Sequence, residues 1–107
     1  MIPLIEANRS AIVDLCKQYG VRKLALFGSA AKGTFDPKTS DLDFLVDLNY
    51  GTGVGRRFMR FASSLERLLD TRIDIVTERS VTSEWFREEL AQTAVSIYED
   101  SDTQAIA

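Results

Sequence analysis

The middle of the chain has a strand, helix, strand pattern that constrains the fold more than any other feature. From Asp41 to Val46 every second residue is apolar, which predicts a strand with one buried face. From Arg56 to Leu69 apolar residues recur at the spacing of a core-facing helix, and Arg72 to Thr77 alternates again. A helix that joins two strands of one sheet crosses one face of that sheet. The pattern therefore predicts an α/β (α+β) domain, with helices packed on one face of a small mixed β-sheet.

The flanking segments supply further elements. Apolar residues recur at helical spacing from Pro3 to Tyr19, and Gly20 is a natural stop. Val21 to Phe27 reads as a strand. Ser83 has the position of a helix N-cap, and Val95 to Tyr98 either continues that helix or forms a short edge strand. We favour the edge strand.

The length and composition indicate one folded domain. The chain has 107 residues, of which 45% are hydrophobic and 27% charged, as in ordinary globular domains. We predict a single domain over residues 1–99 and a polar, disordered tail over residues 100–107. No segment approaches the roughly 18 apolar residues of a membrane helix, and the N-terminus lacks a signal-peptide pattern. A cytoplasmic location without a membrane partner is expected.

The charge balance and the missing residue types exclude several classes of function. The net charge is -3 and the sequence pI is near 4.9, which disfavours direct binding of nucleic acid. The chain has no His, which excludes His general bases and most zinc sites. Its single cysteine, Cys16, excludes an internal disulfide and falls in a helical apolar pattern typical of a buried thiol. Catalysis or metal binding must therefore rest on carboxylates.

Three aspartates are the candidate catalytic and metal-binding residues. Asp41 and Asp43 are two apart on a predicted strand, so their side chains point the same way. Asp74 lies on the predicted strand after the crossover helix and joins them if the two strands are neighbours. A divalent cation such as Mg2+ offsets the repulsion among three carboxylates and prefers oxygen ligands. Taken singly, each aspartate is more often structural than catalytic.

Two glycine-containing segments have the composition of phosphate-binding loops. Gly28-Ser29 follows a strand and opens a possible helical turn, where backbone N–H groups and a hydroxyl can receive an anion. Gly51 to Gly55 contains three glycines, but Arg56 and Arg57 stand where a P-loop has Lys followed by Ser or Thr. We interpret the second segment as a plain loop and the first as the candidate polyphosphate site.

The combined motifs resemble a known enzyme family, the polymerase-β-like nucleotidyltransferases, particularly the minimal (MNT) type. The resemblance extends from about Val21 to Thr77 and is carried by Gly28-Ser29, Lys32-Gly33, Ser40-Asp41-Leu42-Asp43, Phe44-Leu45-Val46 and Ile73-Asp74-Ile75-Val76. It implies a polymerase-β-like nucleotidyltransferase core. The spacer from Ala30 to Ser40 has eleven residues where the family usually has ten, and the extra residue falls most easily at Pro37 to Thr39.

The resemblance also implies roles for individual residues. Nucleotide binding would fall to Gly28, Ser29 and Lys32. The metal-binding and catalytic residues would be Asp41, Asp43 and Asp74. The third aspartate would also help to deprotonate the attacking hydroxyl.

A function and partners follow from the same resemblance. Minimal members are typically antitoxins that transfer AMP from ATP, with Mg2+, to a tyrosine of a helical HEPN-type toxin. The alternative is an antitoxin that neutralises its partner by direct binding, with an inactive or regulatory nucleotide site. A nucleotidyltransferase for small molecules is a third, weaker hypothesis.

An interface with the partner is expected at exposed aromatic and basic residues. Trp85 and Phe86 are adjacent, so both cannot face the core from one helix. Arg56, Arg57 and Arg60 lie at a predicted helix N-terminus, where the helix dipole disfavours cations. That placement suggests an acidic partner or nucleotide, although a solvated face accounts for it equally well.

Overall fold

The helices and strands follow the predicted order. The computed structural model describes residues 2–33, 36 and 41–100. In chain order its elements are α1 (Pro3–Gln18), β1 (Val21–Phe27), α2 (Gly28–Lys32), β2 (Leu42–Leu48), α3 (Val54–Leu69), β3 (Ile73–Thr77), a 3-10 turn (Glu78–Ser80), α4 (Glu84–Thr93) and β4 (Val95–Glu99). The predicted loop before α3 is shorter than expected, because Val54 and Gly55 already belong to the helix.

The four strands form one mixed sheet with the order β3-β2-β1-β4. β1 runs antiparallel to both β2 and β4, whereas β2 and β3 run parallel. α3 is the crossover between the two parallel strands, as the sequence pattern predicts. β4 is an edge strand rather than an extension of α4, because the helix ends at Thr93 and Val95 pairs with Leu26.

The main core lies between the sheet and the two long helices. Leu42, Phe44 and Val46 of β2 are fully buried on this face. α1 and α3 contribute the buried residues Ile5, Ile12, Cys16, Phe61, Leu65 and Leu69. Burying each large apolar side chain stabilises the fold by about 1.5–3 kcal/mol. Desolvation raises the pKa of the Cys16 thiol to about 12, so this cysteine is an inert core residue, as predicted.

The shorter helix α4 lies against the opposite face of the sheet. Its Phe86 ring packs edge-to-face on Phe27, with centroids 5.7 Å apart. Leu90 and Leu45 line a shared cavity on the same side. The two long helices thus share one face, as predicted, and α4 partly covers the other. The strand pattern did not indicate this second contact, because Phe27 and Leu45 are isolated apolar residues on the polar side of their strands.

Some predictions concern residues that the structure does not describe. Of the predicted loop Thr34 to Ser40, including the proposed insertion at Pro37 to Thr39, only Asp36 is described. The predicted tail falls outside the described residues apart from Asp100, whose N–H donates to the Arg22 carbonyl oxygen at 2.8 Å. Among the helices of the described ranges, none has both the length and the apolar character needed to cross a bilayer.

Candidate active site

Asp43 and Asp74 are neighbours across the parallel strands. They are register partners of β2 and β3, which places their Cα atoms about 4.8 Å apart. Phe44 and Ile75, the next residues on the two strands, pack into the main core. Because successive side chains alternate, both aspartates point to the opposite face, and Asp74 is exposed there. The crossover helix has thus brought together two carboxylates that are 31 positions apart in the sequence.

The carboxyl of Asp43 has a raised pKa. Burial raises the pKa of its carboxyl above the usual value of 3.8, and the charges of Asp74 and Asp41 raise it further. All three carboxylates therefore lie close enough to interact. A site of this kind favours a bound cation.

Gly28 is packed against the Asp43 carboxylate. Phe27, at the end of β1, is the register partner of Asp43, and Gly28 follows with φ of +71°. A Cβ on Gly28 would collide with Oδ2 of Asp43 and lie 3.1 Å from its Cγ. Glycine is therefore required here by both the backbone conformation and the close approach. The sequence predicted that a nucleotide would come close to the backbone of Gly28. The structure shows that the Asp43 carboxylate, a candidate catalytic group, also lies against it.

The other predicted nucleotide-binding residues lie on α2, directly after Gly28. Ser29 is in its first turn and Lys32 in its last. Lys32 Nζ lies 3.8 Å from Glu89 Oε1 of α4, and both side chains are partly exposed. Together with the Phe27–Phe86 contact, this ion pair joins α4 to the turn that carries the site. Sequence reasoning missed this support, since it depends on how α4 packs.

Of the adjacent aromatics on α4, only Phe86 has a packing partner among the described contacts. Trp85 remains 71% exposed. It lies in the first turn of α4, near the same end of the sheet as Gly28 and Asp43. One of the two aromatic residues is thus free to contact a partner, as the sequence suggested.

Asp41, the remaining candidate aspartate, forms an ion pair with Arg72. Its Oδ1 lies 3.1 Å from Nε of Arg72, and both side chains are largely exposed. Within residues 2–33, 36 and 41–100, no three acidic side chains are arranged so that they could hold a metal ion. An exposed ion pair of this kind contributes at most about 1 kcal/mol, so rotating Asp41 out of it costs little. The three carboxylates suit Mg2+ in their chemistry, with Asp43 and Asp74 already adjacent and Asp41 requiring release from Arg72.

Comparison with known proteins identifies the family of this fold and site. Residues 9–100 match the model of the nucleotidyltransferase domain. The chain belongs to this family. A solved structure assigned as a minimal nucleotidyltransferase is 34% identical, with a TM-score of 0.74 over 88% of this chain and 95% of that one. The predicted family and fold class are therefore confirmed, and the protein is a nucleotidyltransferase of the minimal type.

Two further relatives have named activities or partners. A protein adenylyltransferase of Thermococcus cleftensis is 34% identical over 70 residues, which is 65% of this chain and 69% of the relative. A solved complex of a tri-AMPylated HEPN toxin with an MNT antitoxin from Shewanella oneidensis contains a chain with a TM-score of 0.63 at 18% identity. That match covers 94% of this nucleotidyltransferase and 77% of the other chain. At this identity the second likeness shows a shared fold.

Proposed function

We propose that this nucleotidyltransferase transfers AMP from ATP to a hydroxyl of a partner protein and thereby acts as an antitoxin. The partner is a helical HEPN-type toxin, the acceptor is a tyrosine, and the reaction depends on Mg2+. The observation that carries the proposal is the register pairing of Asp43 with Asp74 directly beside the Gly28 turn. The names of the adenylyltransferase relative and of the AMPylated toxin complex support the choice of nucleotide and partner.

The proposed reaction is an in-line displacement at phosphorus. The acceptor oxygen attacks the α-phosphorus of ATP, the bond from that phosphorus to the α,β-bridging oxygen breaks, and pyrophosphate leaves with the bonding electrons. The carboxylate of Asp74 accepts the hydroxyl proton. Gly28, Ser29 and Lys32 bind the triphosphate, and Asp41, Asp43 and Asp74 would hold Mg2+. When bound, Mg2+ supplies positive charge that neutralises the phosphate oxygens.

The position of Asp74 suits a large acceptor. β3 is an edge strand of the sheet, and the Asp74 side chain is exposed on it. A hydroxyl on the surface of another protein can reach such an open edge, whereas a deep cleft would admit only small molecules. This exposure favours a protein acceptor over a small one.

Neutralisation by contact alone remains a second candidate, and one observation favours it. Asp41 forms an ion pair with Arg72, although it is close enough for its charge to act on Asp43. If that pair persists when ATP and the partner are present, the site holds two carboxylates only. The protein would then act as a binder with a regulatory nucleotide site.

Intact-mass spectrometry tests the proposal directly. The protein is incubated with ATP, Mg2+ and the helical protein encoded by the neighbouring gene, and both proteins are weighed. We expect the partner to gain one or more AMP units. Omitting Mg2+ or using Asp43→Asn should abolish the gain. An unmodified partner that is nevertheless neutralised supports the contact mechanism instead.

A further inference from the structure

Three arginines form a row on the exposed side of α3. Arg56, Arg60 and Arg67 are four and seven residues apart, which places them along one side of the helix. All three are exposed, and none has an ion pair or hydrogen bond among the residues that the structure describes. The neighbouring Arg57 differs, since it donates to the carbonyl oxygens of Tyr19 and Asn49 at 3.0 and 2.6 Å. Arg57 therefore has a structural role that the other three lack.

The start of α3 is an unfavourable place for these cations. The helix begins after Gly53, which provides no side-chain cap, and its first turn contains no acidic residue. Arg56 therefore lies near the positive end of the helix dipole with no acidic residue in the same turn, and Arg60 follows one turn later. The chain as a whole has a net charge of -3, so the arginine row is a local cluster of positive charge. Such a cluster favours the binding of an anionic partner.

The arginine row lies in a groove that leads towards the candidate active site. Tyr19, Met59 and the three arginines line an open groove of about 860 Å3, and Met59 is 69% exposed. A second groove of about 540 Å3 shares Arg67 with the first and extends to Arg72. Arg72 in turn pairs with Asp41. The two grooves thus form a track along α3 that ends at the edge of the site, with three arginines in the first groove and mixed charge in the second. We call it the basic track.

The surroundings of the track favour a protein rather than RNA. Glu66 and Asp70 line the second groove, and Asp41 lies at its end, so that part repels RNA, which carries a negative charge at every nucleotide. A protein helix can instead place its acidic side chains opposite the arginines alone. The exposed Met59 side chain and the Tyr19 ring offer apolar contacts between the arginines. Met, Tyr and Arg are enriched in protein interfaces. Acidic side chains on a helix lying along α3 can match the arginine spacing, because both helices have the same rise per residue.

We propose that the basic track of α3 docks an acidic helical segment of a partner protein. The identification of this partner with the AMP acceptor rests on the proposed function. α3 packs against the core face of the sheet, whereas Asp43 and Asp74 point to the opposite face. Docking and chemistry therefore use different surfaces that meet at Arg72.

Binding measurements with charge-neutralised variants test the track. The affinity for the helical product of the neighbouring gene is measured by calorimetry for the wild type and for the triple variant Arg56→Gln, Arg60→Gln, Arg67→Gln. The matched control is Lys17→Gln, Arg22→Gln, Lys23→Gln, which removes the same charge outside both grooves. We expect the α3 variant to weaken binding about 10- to 100-fold and the control to change it less than about 3-fold. Added salt should weaken the wild type more than the α3 variant.

Four other outcomes would overturn the docking proposal. The proposal would be overturned if the wild type did not bind the partner, or if the α3 variant bound it as tightly as the wild type. It would also be overturned if both triple variants lost affinity equally. A single-stranded RNA 20-mer that binds the wild type, displaces the partner and fails to bind the α3 variant would overturn it as well. A thermal melt controls for folding. Arg56→Gln removes an unfavourable cation from the first turn of α3 and Arg67→Gln removes a favourable one from its last turn, so the α3 variant should melt close to the wild type.

The same samples separate docking from chemistry. Asp43→Asn should bind the partner with unchanged affinity, because its side chain faces away from the track. If the wild type binds through α3 and transfers no AMP, the docking proposal stands and the proposed function fails. If AMP is transferred at equal rates by the wild type and the α3 variant at low partner concentration, the docking proposal fails and the proposed function stands.

Discussion

Arg72 holds Asp41 in an ion pair of 3.1 Å, at the point where the α3 track meets the candidate active site. Because both side chains are largely exposed, the pair is weak and an acidic group arriving along the track can compete for Arg72. Release of Arg72 would free Asp41 to join Asp43 and Asp74. The structure thus offers a physical link between partner docking and completion of the carboxylate site.

Removing Arg72 should mimic that release. We expect Arg72→Gln to bind Mg2+ more tightly than the wild type, because it frees Asp41 and removes a positive charge from the site edge. Folding stability should change by less than about 1 kcal/mol, as for other exposed ion pairs. Calorimetric titration with Mg2+ measures the affinity. Arg79→Gln is the control, since the Arg79 guanidinium lies 3.6 Å above the Tyr50 ring, away from Asp41. Unchanged or weaker affinity in Arg72→Gln would show that the ion pair does not restrain the site.

Two glycines offer a matched test of the contact with Asp43. Gly28 is the first residue of α2 and Gly33 follows its last, and both have positive φ, of 71° and 80°. A Cβ on Gly33 meets nothing within 4 Å, whereas one on Gly28 collides with Asp43. Each Ala substitution should cost about 1–2 kcal/mol of folding free energy from backbone strain. Gly28→Ala should cost more and should also abolish AMP transfer, because the Asp43 carboxylate is displaced.

Denaturant unfolding and the transfer assay measure the two effects. Gly33→Ala should retain most of its activity despite its loss of stability. If the two variants lose activity equally, the close approach of Gly28 to Asp43 has no special role.

Much of the fold was predictable because local patterns carry it. Residues close together in the sequence are enough to recognise each of these patterns. They are the apolar alternation of Asp41 to Val46, the helical apolar spacing of Arg56 to Leu69 and the helix end at Gly20. The three aspartates were found in the same way, helped by the family resemblance. The register between β2 and β3, which sets Asp43 beside Asp74, was not predictable from the sequence, since strand pairing depends on tertiary packing.

The contacts between distant segments could not be predicted. The pairing of Arg72 with Asp41 depends on β2 and β3 starting side by side, where the Leu42 N–H donates to the Arg72 carbonyl oxygen at 3.0 Å. The ring contact of Phe86 with Phe27 depends on which face α4 covers. Neither relation has a signal in the spacing of residues along the chain.

The raised pKa of Asp43 predicts a pH-dependent stability effect. A folded-state pKa above the usual 3.8 means that ionised Asp43 opposes folding. Below pH 3.8 the carboxyl is protonated in both states and the penalty is absent. The penalty grows as pH rises and is complete above the folded-state pKa. Asp43→Asn should therefore have a higher Tm than the wild type at pH 7, and the difference should vanish below about pH 4.

Thermal melts at several pH values measure this difference. The control is Asp14→Asn, an exposed position on α1 outside the site. Asp43→Asn should also lose AMP transfer, so stability and activity should move in opposite directions. A variant that is less stable than the wild type at pH 7 would contradict carboxylate crowding at this position.

Co-expression with the partner separates the two antitoxin mechanisms. If neutralisation is chemical, Asp41→Asn combined with Asp43→Asn should lose protection against the partner's toxicity. If neutralisation is by contact, the same variant should protect fully at matched expression. The α3 triple variant should lose protection under either mechanism, because both require the partner to dock.

We expect both variants to lose protection, for different physical reasons. Three interacting carboxylates impose a repulsive cost on the fold, which a protein that only binds its partner has no need to bear. Pull-down of the partner distinguishes the causes, since the aspartate variant should retain the complex and the α3 variant should not. Full protection by the aspartate variant, with an intact complex and an unmodified partner, would establish contact as the mechanism.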